Sequence, residues 1–165
     1  MFALAALRKV RGGADDGPMS GSGPEARFDA FRLAKREGSI AGTFDARRLP
    51  NVADSLAPGD DPVPIAWAIE GRASGEGRPA LGIDISGSVP LVCQRCLGRI
   101  DWPVEQSTEV LLAADAKELA RLDDVSESEV LLADRPLEPE VLVEDELVLT
   151  WPFAPRHEGG CPQRA

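Results

Sequence analysis

From Val63 onward the chain alternates apolar and polar positions with a period of two. Val63, Ile65, Trp67 and Ile69 share one side, and Leu81, Ile83 and Ile85 resume the pattern after the turn-rich stretch 71–79. Val89, Leu91 and Cys93 alternate into a Cys-x-x-Cys pair; Ile100, Trp102 and Val104 alternate out of it, through Val110 and Leu112. A period of two is the signature of half-buried strands. It predicts an antiparallel meander of about four strands, curved or closed into a partial barrel. Gly98 lets the chain reverse just after Cys96, so the Cys-x-x-Cys knuckle is placed at a hairpin tip.

Helical spacing appears on both sides of this block. Phe28, Phe31 and Ala34 recur at helical intervals over Phe28–Glu37, with Gly38 as the stop. Ile40–Phe44 reads as a short strand, and Arg47–Leu56, interrupted by Pro50, has no clear period. Ala114–Leu122 reads as a helix, Asp123–Glu129 as an acidic loop, Val130–Ala133 as a short strand and Pro139–Thr150 as a second helix. Glu144-Asp145-Glu146 inside that helix reads as a solvated acidic face beside a buried Leu/Val face, in preference to a cation site. Trp151-Pro152 ends it. The expected class is α+β: the meander with a few short helices.

Residues 12–25 are rich in Gly, Ser, Pro and Asp without apolar period, and predict disorder. Met19 within them is a second candidate start. The expected organisation is an N-terminal extension over 1–25, one domain over 26–162, and an end over 163–165. Met1–Leu7 is apolar, but Arg8, Lys9 and Arg11 follow it, opposite to the order in a secretory signal. No apolar run reaches the ~20 residues that span a bilayer, so the expectation is a cytoplasmic protein without a membrane partner.

Charge adds an asymmetry. The net charge is −10, and residues 111–165 hold 13 of the 28 acids but only 5 of the 18 bases. An acidic end repels phosphate backbones, so nucleic-acid contact is expected from the first two-thirds of the chain. The densest basic stretch, Arg27–Arg48, includes Arg32, Lys35 and Arg36; a solvated helix face is its bland reading.

The chemistry concentrates in four residues. Cys93, Cys96 and Cys161 are all the cysteines and His157 the only histidine. Cys-x-x-Cys supplies two sulfurs from one tight turn, and His-x-x-x-Cys a second pair. Structural zinc takes three-cysteine, one-histidine sets. Two other readings stand beside zinc: small buried packing residues, and redox or thiol catalysis. No βαβ pattern surrounds the pair as a redox motif requires, and no triad context accompanies the histidine. An odd cysteine count gives no disulfide framework.

Two segments resemble the YceD family of bacterial large-ribosomal-RNA accumulation proteins. They are Leu91-Val92-Cys93-Gln94-Arg95-Cys96-Leu97, and Val143-Glu144-Asp145-Glu146-Leu147-Val148-Leu149-Thr150-Trp151-Pro152 followed by Pro155-Arg156-His157 and Cys161. Phe28–Leu33 is similar to the family's N-terminal segment more loosely. The resemblance implies a non-enzymatic ribosome-biogenesis factor supporting the synthesis, processing or stability of 23S rRNA. Some relatives continue past the last cysteine, whereas this chain stops at Pro162-Gln163-Arg164-Ala165. The implied partner is 23S rRNA or its precursor, contacted directly or through a protein. The alternative is a zinc-stabilised adaptor that recruits a nuclease or ribosomal protein through the acidic C-terminal third. Cys93, Cys96, His157 and Cys161 are the candidate zinc ligands. Arg95, Arg99, Arg32, Lys35 and Arg36 are the candidate RNA or partner contacts, with a salt bridge to Glu144 or Glu146 as the structural alternative for Arg95.

Overall fold

The computed structural model describes residues 27–162. The expectations for residues 1–25, for Met19 as a start and for 163–165 lie outside the described residues. In chain order the elements are α1 (Ala30–Lys35), β1 (Ser39–Asp45), a 3-10 turn (Ala46–Arg48), α2 (Pro50–Ala53), β2 (Pro64–Ala73), β3 (Pro79–Val92), β4 (Arg99–Ala113), α3 (Ala116–Val125), β5 (Glu129–Leu132) and α4 (Pro139–Val148). The strands form one sheet in the order β1-β2-β3-β4-β5, with β1 to β4 antiparallel and β5 parallel to β4. The sheet is open: β1 and β5 are its edges.

The α+β meander is as expected, but its strands are counted differently. Leu81–Ile85 and Val89–Val92 belong to one strand, β3, which runs unbroken through Gly87 and ends just before Cys93. All six of Leu81, Ile83, Ile85, Val89, Leu91 and Cys93 are buried, so the alternation never changes phase. Ile40–Phe44, left out of the sequence-based meander, lies within β1, which pairs with β2 from Ser39↔Glu70 to Asp45↔Pro64. The α3 crossover carries the chain back along β4 before it re-enters the sheet, so that β5 runs in the same direction as β4.

The inward face of the sheet carries Phe44, Ile65, Ile69, Leu81, Ile83, Ile85 and Val104. Three helices cover it. Helix α1 is capped by the Asp29 carboxylate, which accepts from Arg32 N–H, and buries Ala30, Leu33 and Ala34. It crosses directly over Gly71 of β2, where any side chain would strike the Leu33 carbonyl. Helix α2 begins with Pro50 at its first position, where the missing N–H costs nothing. Helix α4 sends Leu142, Val143 and Leu147 into the core.

Two acids go inward with them, which overturns the expectation of a solvated Glu144-Asp145-Glu146 face. Glu144 and Glu146 are 6% and 5% exposed, and Asp145 alone faces water. Each buried carboxylate has a neutral donor in place of a cation. Glu144 accepts from Asn51 N–H and, at 3.0 Å, from its side-chain amide, capping the start of α2 from another element. Glu146 accepts from the Thr108 hydroxyl at 2.7 Å. Burial pushes the Glu146 carboxyl above its ordinary value, against the pull of the Thr108 hydrogen bond. Among the described residues no helix is long and apolar enough to cross a membrane.

Candidate metal centre

The β3–β4 ladder ends at Val92↔Arg99, leaving residues 93–98 as a knuckle at the hairpin tip. Cys93 N–H donates to the Gly98 carbonyl at 2.8 Å, and Leu97 N–H to the Cys93 carbonyl at 2.9 Å. Leu97 adopts the left-handed conformation, φ 60°, which turns the chain after Cys96 back into β4. Arg95 N–H points at the Cys93 sulfur at 3.4 Å.

The C-terminal arm returns to this knuckle. Helix α4 ends at Val148, the Thr150 carbonyl accepts from the Trp102 indole at 3.1 Å, and the Pro155 carbonyl accepts from Gln94 N–H at 2.9 Å. The arm therefore tracks the first residues of β4 and then the knuckle. It delivers His157 and Cys161 to Cys93 and Cys96, closing the long separation in sequence: one ligand atom from each of the four lies within 4.8 Å of every other. Cys93 is buried and the other three are half-buried.

The spacing suits one tetrahedral ion. Zn–S bonds of ~2.3 Å and a Zn–N bond of ~2.0–2.1 Å at tetrahedral angles set S···S edges of about 3.8 Å and S···N edges of about 3.6 Å. Cys93 Sγ lies 3.7 Å from Cys161 Sγ, and Cys96 Sγ lies 3.5 Å from His157 Nδ1. His157 Nε2 sits 3.1 Å from the Arg99 carbonyl. A proton on Nε2 donates there and leaves the Nδ1 lone pair facing the sulfurs, the outer hydrogen bond that orients ligating histidines. The thiols are unequal. Backbone N–H groups, that of Cys96 foremost, pull the Cys93 thiol down to about 5 against the opposing effect of burial. Burial, then the Cys96 and Cys93 thiols, push Cys161 up to about 11. The knuckle thus prepares one thiolate, and a cation would draw the others into that form. The cluster can hold a metal ion.

The candidate contact residues separate into two groups. Arg95 and Arg99 are exposed at the knuckle, with Arg99 paired to Asp101 at 2.8 Å. Arg95 does not reach Glu144 or Glu146, whose carboxylates are taken by Asn51 and Thr108. Arg32, Lys35 and Arg36 are exposed on α1. That helix packs at the Gly71↔Leu81 end of the sheet, eleven residues along β3 from Val92. At ~3.3 Å per residue this is about 36 Å. Arg47, from the same basic stretch, is used structurally, donating to the Asp61 and Ala57 carbonyls. The sequence reading passed over Phe153 and Arg156, both exposed on the arm. The available signal was an aromatic held between Pro152 and Pro155.

A family model described as "Large ribosomal RNA subunit accumulation protein YceD" matches residues 81–165. That span starts two residues into β3 and contains the knuckle, α4 and the arm. Comparisons with curated proteins and with solved structures gave no match.

Proposed function

The chain belongs to the YceD family of large ribosomal RNA subunit accumulation proteins, and on that premise we propose that it is a non-enzymatic ribosome-biogenesis factor supporting the synthesis, processing or stability of 23S rRNA in the cytoplasm. The observation that carries this reading is the family match over the half of the chain that builds the knuckle and its arm.

Zinc is the ion assigned to Cys93, Cys96, His157 and Cys161. All four donors are side chains of the protein, so the set is complete without water, as in structural rather than catalytic sites. When bound, zinc supplies a cross-link. The residues around it hold the knuckle, orient His157 through the Arg99 carbonyl and fix the arm against β4. Arg95 and Arg99 at this end are the assigned contacts to RNA or a partner. Arg32, Lys35 and Arg36 form a separate basic surface at the far end of the sheet.

The adaptor alternative draws support from two surfaces. In the acidic C-terminal third Glu144 and Glu146 are buried and unavailable to a partner, but Asp115, Asp123, Asp124, Glu127, Glu129 and Asp134 are exposed. The outward face of the sheet also carries Glu70, Asp84, Asp101, Glu105 and Glu109, with Arg72 bridging Glu70 and Glu109. Such a face suits a basic protein, and ribosomal proteins are basic.

The test is depletion of the gene followed by measurement of 23S relative to 16S rRNA. The ratio is expected to fall, to recover with the wild-type chain, and to stay low with Cys93→Ser or Cys161→Ser. An unchanged ratio on depletion refutes the reading.

A further inference from the structure

Phe153 is fully solvent-exposed at 106%, on a segment that is nevertheless pinned. The Thr150 carbonyl is held by Trp102 before it and the Pro155 carbonyl by Gln94 after it. Pro152 and Pro155 restrict the backbone between those pins. A large aromatic exposed to water between two pinned carbonyls does nothing for the core. Leu97, 69% exposed, occupies the facing knuckle in its left-handed conformation. Arg95 and Arg156 lie between two cross-links of knuckle to arm: the Gln94–Pro155 hydrogen bond and the Cys96–His157 contact. Both arginines are exposed, and among the described residues neither has an ion-pair partner. The Thr150–His157 segment and the knuckle beside it thus combine an exposed aromatic with two guanidinium groups lacking ion-pair partners, in a chain whose net charge is −10.

We propose that this surface is a binding site for unpaired RNA, with a base stacked on Phe153, Leu97 closing its apolar side, and Arg95 and Arg156 on the flanking phosphates. The proposal rests on the ribosomal-RNA reading above and gives it a surface. Stacked aromatics with flanking arginines are the usual means of holding single strands, because every base has a π-face and every linkage a charge. Paired RNA hides its base faces and cannot use Phe153. An apolar protein segment is the competing occupant; it would cover Phe153 and Leu97 but leave both guanidinium groups without counter-charge, so the cations favour RNA.

The test uses the full chain loaded with zinc and a fluorescein-labelled 12-nucleotide oligouridylate, read by anisotropy at several salt concentrations. Phe153→Ala is expected to weaken binding at least about fivefold, the low end for one stacked base, without changing the salt slope. Arg95→Gln and Arg156→Gln should each weaken binding and lower the slope of log K against log salt by about one. Arg121→Gln on α3 should leave both unchanged. All four positions are exposed, and thermal melts confirm that each variant folds. Wild-type chain that binds no RNA, Phe153→Ala that binds like wild type, or a 12-base-pair duplex bound as tightly as the single strand each overturns the proposal. Loss of 23S rRNA in depleted cells, with no RNA bound by the purified chain, sinks this surface assignment and leaves the ribosomal role intact, with a protein as the occupant.

Discussion

Removing the metal should release the arm and leave the sheet standing. Ordering the roughly ten residues from Pro152 to Cys161 costs about 10 kcal/mol of backbone entropy, taken at the low end because prolines are already restricted. Against this the arm has little of its own. The Gln94–Pro155 and His157–Arg99 hydrogen bonds contribute ~1 kcal/mol each. Pro155 is its one buried residue, worth ~1 kcal/mol more. The shortfall is about 7 kcal/mol. Structural zinc in small peptides supplies ~10–16 kcal/mol, enough to cover it with a few kcal/mol to spare. The assay is limited trypsin digestion, because Arg156 lies in the arm immediately before the ligand His157. With zinc bound, the peptide starting at His157 should appear slowly. With a chelator, or in Cys161→Ser, it should appear at least about tenfold faster, since cleavage tracks the population of the open form. Arg72 within β2 should stay protected in both cases. Equal release of the His157 peptide with and without zinc would show that the arm is held by something other than the metal.

Two further outcomes test the frame that carries the site. Gly71→Ala places a methyl group against the Leu33 carbonyl of α1, an overpacking of ~1–3 kcal/mol; at ~2–4 °C per kcal/mol the melting temperature should fall by about 2–12 °C, and a change under about 1 °C refutes the close helix–strand contact. Glu146→Gln tests the buried acid: its folded pKa is raised above 4.5 mainly by burial, so the native state loses stability as pH climbs from there through the raised value. The amide keeps an acceptor for Thr108 without the charge, so the variant should match wild type near pH 4.5 and melt higher at pH 7, whereas a variant that melts lower at pH 7 contradicts a desolvated carboxylate.

Much of this was legible because burial here follows simple periods. The even spacing from Leu81 to Cys93 marked the inward face of β3 directly, and it also placed Cys93 in the core. The period says nothing about connection. It left Leu81–Ile85 and the run into Cys93 as separate strands, yet the phase on either side of Gly87 is the same, and the strand continues. The parallel pairing of β5 with β4 depends on α3 carrying the chain back along β4, a tertiary fact with no local signature. The acids of α4 misled for a different reason. Glu146 lies on the same helical face as Leu142, Val143 and Leu147, while Glu144 lies on its flank and is buried by α2 through Asn51; charge argued for solvent in both cases. Their donors, Asn51 and Thr108, come from elements distant in sequence, so nothing near the acids announces that burial is satisfied. The four candidate metal ligands were picked out by residue type and close pairwise spacing; their meeting required the arm to run back along β4, which Trp102 and Gln94 enforce and which composition does not reveal.

The most direct test of the zinc-closed knuckle is the metal content of the purified chain, measured by mass spectrometry of the elements after expression in zinc-replete medium. One zinc per chain is expected for wild type, with near-complete loss in Cys93→Ser and Cys96→Ser. Wild-type protein carrying no more zinc than these variants would contradict a metal-locked knuckle and leave the four residues as packing at a hairpin tip.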